Sequence, residues 1–188
     1  MANITTTQPK FSVAIKSDAY QKLINDTLGD KEVARRFVAE ISTVVSQNKQ
    51  LQACDAASIL SAGLTAQTLN LPLAPTLGFA YIVPYGNKAQ FQAGYKALIQ
   101  LAQRSGQFER LGVRPVHEGE YIGQDEFGDD LFKFSHEFDN NKVIGYYAYF
   151  KLLNGFKKTL YWTVEECEKH GKKYSKSYNN LWASSFDT

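Results

Sequence analysis

Up to about Gly106 the apolar residues recur mostly at helical spacing, and beyond it they mostly alternate. That change of period constrains the fold more than any other feature of the chain. Ser17 and Asp18 can cap a short helix through Leu28, which Gly29 closes. Asp30 can cap the next, KEVARRFVAEISTVVSQN, where Val33, Phe37, Ile41, Val44 and Val45 form one stripe. A third helix is predicted from Asp55 to about Asn70, with Ile59, Leu60, Leu64 and Leu69 inward and Gly63 letting another backbone come close. Pro72 and Pro75 break it. FAYIVPYGNKAQFQAG reads as a β-hairpin turning at Tyr85-Gly86-Asn87-Lys88, and Pro84 marks the end of the first strand or an edge.

YKALIQLAQRSG reads as a helix ended by Gly106. Ala97, Leu98, Leu101 and Ala102 are expected on its apolar side, and Lys96, Gln100, Gln103, Arg104 and Gln107 along one polar face. The strand period follows in FERLGVRPV, DLFKFSHEF, VIGYYAYFKLL and KTLYWTV, with turns at 139–142 and Asn154-Gly155. Thr163 can cap a last helix, VEECEKHG, stopped by Gly171. The expected fold class is α+β: N-terminal helices, then a β-hairpin, a central helix and an antiparallel meander. Residues 1–15, rich in Thr and Asn, are expected to form a flexible arm, and 16–188 one domain.

At 188 residues and 44% hydrophobic content the chain can bury a core without staples. Cys54 and Cys167 form no CxxC pair or disulfide framework, and the N-terminus has no apolar core of signal-peptide length. No apolar run is long enough to span a bilayer, so a reducing cytoplasm is the expectation.

The net charge of +2 hides a segregated pattern. Between Asp55 and Glu109 there is no acid, while Lys88, Lys96 and Arg104 fall in that stretch and Arg110 and Arg114 follow it. Acids then cluster from Glu118 to Asp139, and lysines return from Lys142 to Lys176. Such segregation gives one surface a positive potential on a nearly neutral molecule. Tyr81, Tyr85, Phe91 and Tyr95 lie among the acid-free cations. Cations attract phosphates, rings stack on unpaired bases, and amides reach sugar and phosphate without reading sequence. As strand residues, Phe79, Tyr81 and Phe91 are assigned to the core, and Lys96 with Arg104 to a ligand-facing role. The tail holding Lys172, Lys173 and Lys176 with Tyr174 and Tyr178 is a second cationic candidate.

Catalytic signatures are missing. There is no P-loop and no GxGxxG, the three histidines are scattered, and Cys167 with His170 makes at most half a metal site. The acids from Glu118 to Asp139 follow no ordered ligand spacing and read as a solvated loop. No enzyme activity and no cofactor is expected, Mg²⁺ entering only as a counterion of DNA.

The segment from Leu69 to Glu120 resembles the signature of the RecT family of phage recombinases, in particular those of Gram-positive prophages. The matching positions are Gly78, Ala80, Tyr81, Val83, Pro84, Tyr85, Gly86 and Asn87, then Gly94, Tyr95 and Lys96, then Leu101, Ala102, Arg104, Ser105 and Gly106. The resemblance implies a core like that of other annealing proteins, a hairpin or sheet packed on a long helix with a groove for DNA. It also implies an ATP-independent annealer that forms rings or helical filaments, has single-stranded DNA and annealed duplex DNA as partners, and works beside a phage 5′→3′ exonuclease in the bacterial cytoplasm. Family members continue past a W-x-x-x-[FW] stretch, here Trp182 and Phe186, into a further helix and tail, so the chain is expected to be C-terminally truncated.

The expected DNA-binding set is therefore Lys88, Tyr95, Lys96, Gln100, Gln103, Arg104, Gln107, Arg110 and Arg114, with Lys172, Lys173 and Lys176. Lys96, Arg104, Arg110 and Arg114 are expected along one groove through neighbouring protomers. A passive single-strand-binding protein and a Mg²⁺-dependent nuclease are the alternatives.

Overall fold

The structure is a computed structural model that describes residues 9–175 and 178–179. The chain divides into two compact units, Met1–Arg104 and Ser105–Thr188, where the sequence shows no linker. The α+β class is as expected from the change of period.

The first unit holds α1 (Phe11–Ala14), α2 (Asp18–Leu28), α3 (Lys31–Ser46), α4 (Lys49–Gln52), α5 (Ala56–Thr68), the hairpin β1 (Ala80–Tyr85) and β2 (Lys88–Ala93), and α6 (Tyr95–Arg104). The anticipated caps are in place. Asp30 accepts from the Glu32 and Val33 amides, Asp55 from Ser58, and Gly29 closes α2 in the left-handed region. Within the segment expected as an arm, residues 9–15 behave otherwise. Phe11, Ala14 and Ile15 stand at helical spacing and are buried in the core.

Phe37, Ile41, Ile59 and Leu60 centre that core, and Leu71 and Leu73 are tucked into it, the Leu73 amide donating to Glu40 at 2.7 Å. Gly63 admits side chains rather than the expected backbone: a Cβ there would meet Ile41 and lie 3.1 Å from the Phe37 ring. The hairpin lays Ala80, Ile82 and Ala89 inward. Its turn is fastened to α5, because the Asp55 amide donates to the Asn87 carbonyl at 2.7 Å and the Ala89 amide to Ser58 Oγ at 2.9 Å.

In the second unit β3 (Phe108–His117), β6 (Val143–Leu152) and β7 (Lys157–Thr163) form an antiparallel sheet in the order β3-β6-β7. A separate hairpin pairs β4 (Tyr121–Gln124) with β5 (Asp130–Phe132), and α7 (Val164–Tyr174) follows β7. The stretch read as a solvated acidic loop thus contains a hairpin. Its β4 escaped notice because YIGQ is too short to show a period. The strand expected across DLFKFSHEF ends at Phe132, and residues 136–138 form a 3₁₀ turn begun by Ser135.

α7 runs through Gly171 to Tyr174 instead of stopping there. A Thr163–Glu166 capping box starts it, the pair Glu165–Lys169 braces it before the glycine and the pair Glu168–Lys172 across it. A helical Gly costs only about 1 kcal/mol, and this one is buried, where a side chain would need room.

Candidate nucleic-acid interface

In the first unit the local geometry follows from two glycines. Gly78 has φ of 75°, and a Cβ on it would lie 3.5 Å from both the Lys96 side chain and the Tyr81 hydroxyl. A Cβ on Gly94 would strike the Gly78 carbonyl and sit 3.1 Å from the Tyr81 ring. Gly94 also accepts the first amides of α6, from Ala97 and Leu98. The turn at Gly78, the base of the hairpin and the start of α6 are therefore packed backbone to backbone, with the stem of Lys96 lying over them beside Tyr81.

Strand alternation and the register pairing Tyr81 with Gln92, Val83 with Gln90 and Tyr85 with Lys88 put these six residues on one hairpin face. Phe79 and Phe91 pack against the core as expected, whereas Tyr81 stands on this outward face and is 36% exposed. Gln90 and Gln92, absent from the sequence-based set, join it; the alternation in KAQFQA was the signal that could have found them. Lys88 is at the turn and Lys96 beyond the opposite end of β2, so the hairpin separates them by roughly 20 Å.

α6 is rotated relative to the expected facing. Ala97 is fully buried and Leu101 packs on the core, which carries Gln100 inward, its Oε1 buried with no hydrogen-bond partner among the described residues. Tyr95, Leu98 and Ile99 are left exposed at 69, 59 and 42%. Two apolar stripes shared the helix, and burial went to the one holding Ala97 and Leu101, which join the core of the unit. The expected polar face is thus reduced to Lys96, Gln103 and Arg104. Gln107 lies past the helix end in the second unit, its carbonyl accepting from Leu153. Arg104 is exposed but donates at 2.8 Å to the carbonyl of Leu69, which ends α5, so part of its guanidinium serves the fold.

In the second unit Arg110 is exposed on β3. Arg114 is tied down: its guanidinium is 3.2 Å from the fully buried Glu120 carboxylate and 3.7 Å from the centre of the Phe134 ring. The other Glu120 oxygen accepts the His117 amide at 2.8 Å. The β3-β6-β7 register aligns Arg110, Lys151 and Lys157 in one row, Gly112, Tyr149 and Thr159 in the next, and Arg114, Tyr147 and Tyr161 in the third. All nine share one face. Burial pushes the Tyr147 and Tyr161 phenols above their ordinary range. None of Tyr147, Tyr149, Lys151, Lys157 or Thr159 was in the sequence-based set, since the row exists only once three strands distant in sequence are paired.

Lys172 and Lys173 sit in the last turn of α7. Lys172 pairs with Glu168 at 3.1 Å, which holds its ammonium above the ordinary range, and Lys173 lies 5.0 Å from the Tyr174 ring centre. Lys176 lies outside the described residues, as do Trp182 and Phe186.

The acids have local duties. Asp125 accepts the Phe127 and Asp129 amides within the β4–β5 loop, Asp130 accepts from Tyr121 and Gln124, and Asp139 pairs with His136. Among the described residues no three His, Cys, Asp or Glu side chains group as a metal site.

A model of the RecT family matches residues 35–188. The chain belongs to the RecT family. It is 42% identical over 171 residues to a Bacillus subtilis (strain 168) protein described as uncharacterized protein YqaK, an alignment covering 89% of this chain and 60% of that one. It is 34% identical over 132 residues to Protein RecT of Escherichia coli (strain K12), covering 65% of this chain and 49% of the relative. The chain thus spans about half to three fifths of the length of these curated relatives.

Proposed function

We propose that this chain binds single-stranded DNA and anneals complementary strands without ATP, in homologous recombination of phage origin. The observation that carries this reading is an imbalance of charge in the helical unit. Lys88, Lys96 and Arg104 are exposed and have no carboxylate partner among the described residues, and no acid lies between Asp55 and Glu109. The cations that do have a carboxylate within ion-pair distance, Arg35, Arg114, Lys151, Lys169 and Lys172, all lie outside that acid-free stretch. Unopposed cations are what a polyanion's phosphates need. Membership of the RecT family supports the same class of activity.

In this mechanism no covalent bond changes. Base pairing supplies the driving force, and the protein lowers the repulsion between two phosphate backbones, with Mg²⁺ at most a counterion. Copies of the chain assemble into a ring or filament on strands prepared by a 5′→3′ exonuclease, in the cytoplasm of the bacterial host. No helix among the described residues is long and apolar enough to cross a membrane.

The test joins Lys88→Ala to Lys96→Ala. Affinity should fall alike for unrelated single-strand sequences, and the slope of log affinity against log salt should flatten by about 1.4 for two lost phosphate contacts. An unchanged slope in the folded variant rejects the assignment. Mixing two labelled complementary oligonucleotides with protein and no nucleotide tests annealing: pairing should accelerate. Binding without acceleration means a passive single-strand binder, and strand loss with Mg²⁺ but not EDTA means a nuclease.

A further inference from the structure

Resting on the DNA-binding reading above, we propose that the open face of the β3-β6-β7 sheet is a stacking site for an unpaired nucleobase. The base lies on Tyr149, and its flanking phosphates lie against Arg110 and Lys157. A cleft of about 320 Å³ opens on this face, with Tyr149, Tyr147 and Phe134 among its walls. Every charged side chain lining it, Arg110, Arg114, Lys151 and Lys157, is cationic.

The sheet holds the Tyr149 ring in a particular attitude. Tyr149 pairs across the strands with Gly112, and a Cβ on Gly112 would lie 2.7 Å from the phenol oxygen and 2.9 Å from the ring carbon bearing it. The ring therefore leans over the space that a side chain at 112 would occupy. The hydroxyl end of the ring lies over β3, and Tyr149 is half-buried. Tyr147 is roofed by Phe132 and Phe134 at 4.8 and 5.6 Å between centres. Tyr149 has no such roof: among the described residues its one ring neighbour is Tyr147, at 5.7 Å.

The cations divide in the same way. Glu120 and Phe134 hold Arg114, and Glu109 holds Lys151 at 2.7 Å, whereas Arg110 and Lys157 are exposed and have no carboxylate partner among the described residues. One half-exposed ring without a phenylalanine roof, with an unpaired cation on each outer strand, is a geometry for an unstacked base and its backbone. A base inside a duplex offers its faces to its neighbours and cannot use it, so the site distinguishes single strands from duplex.

The experiment compares oligo(dT) with an abasic backbone of equal length and charge. The unaltered chain should bind oligo(dT) more tightly. Tyr149→Ala should weaken oligo(dT) binding about tenfold, a typical loss for one stacked base, while leaving abasic binding and the salt slope unchanged. Tyr149→Trp should restore it. Joint Arg110→Ala and Lys157→Ala should weaken both ligands and flatten the slope. An oligonucleotide carrying 5-iodouracil, irradiated with the unaltered chain, should cross-link to Tyr149, so the proposal is testable even if Tyr149→Ala fails to fold. Equal affinity for the two ligands, or cross-links confined to other residues, would overturn the stacking site while leaving DNA binding intact. Failure to bind either ligand would overturn both readings.

Discussion

The helical unit has a buried core of large side chains: Phe37, Ile41, Ile59 and Leu71 are each at most 1% exposed, in a cluster that runs from Phe11 to Ala97, although Tyr95, Leu98 and Ile99 of α6 stay outside it. The sheet unit has no such core among its described residues. Among its described residues Val116 is the one buried hydrophobic side chain, and the rings of Tyr121, Phe132, Phe134, Tyr147 and Tyr161 pack on one another at the surface instead. A half-covered ring gains only part of the burial energy available to it. The helical unit can therefore leave cations unpaired on its surface at little cost to its fold. The sheet unit uses the same layer of rings and arginines to hold itself and to face solvent. Substitutions should separate stability from binding in the first unit and mix them in the second.

The largest expected effect tests the inside half of this contrast. Phe37→Ala removes a ring that is 1% exposed and should cost about 3–5 kcal/mol. Phe132→Leu, which keeps bulk but loses edge and face contacts to four rings, should cost about 1 kcal/mol. Trp162 stands in β7, so its fluorescence follows the sheet unit in denaturant while far-UV circular dichroism is weighted to the helices. A larger loss from Phe132→Leu than from Phe37→Ala would break the contrast.

What could be read from the sequence divides along the same line. Helix ends declared themselves because a cap is local: Ser17, Asp30 and Asp55 bond to amides two or three residues on. The first hairpin was legible from its turn, and β6 from a long alternation. The facing of α6 was not, since Ala97 with Leu101 and Leu98 with Ala102 satisfy helical spacing equally well, and packing against the core decides between them. Nor was the cationic row Arg110, Lys151 and Lys157, which needs the register of three strands. The acids that follow Arg114 in sequence hid it further. Only coordinates assign Glu120 to Arg114 and Asp130 to Tyr121 and Gln124, leaving Arg110 and Lys157 unmatched.

An intermediate effect sharpens the mixed character of the sheet unit. Glu120→Ala would leave the half-buried His117 amide without its acceptor and release Arg114, whose side chain is 39% exposed and can turn to water. A stranded amide costs about 1–3 kcal/mol, and the loss should appear as a lower urea midpoint by tryptophan fluorescence. Glu120→Gln, whose carbonyl can still accept from His117, should recover part of it. If Glu120→Ala changed DNA affinity with no change in the midpoint, the carboxylate would serve the ligand surface alone.

The smallest effect belongs to α7, where the fold is held by a surface cap. The Thr163 amide, then the Thr163 hydroxyl, hold the Glu166 carboxyl below its ordinary value of 4.5. A carboxylate whose folded value is lowered stabilises fully above its unfolded value, and that contribution is lost as pH falls through the folded one. The helix should therefore loosen on acidification below about 4.5, in the range where the cap takes up its proton. Glu165, Asp30 and Asp139 are lowered as well, so total acid sensitivity is shared among them. Subtracting the acid titration of Glu166→Gln from that of the unaltered chain isolates the cap, because the amide keeps a hydrogen-bond acceptor but carries no proton to gain. The two curves should differ above pH 4.5 and converge below it; a constant offset would mean that the cap works through hydrogen bonding without its charge.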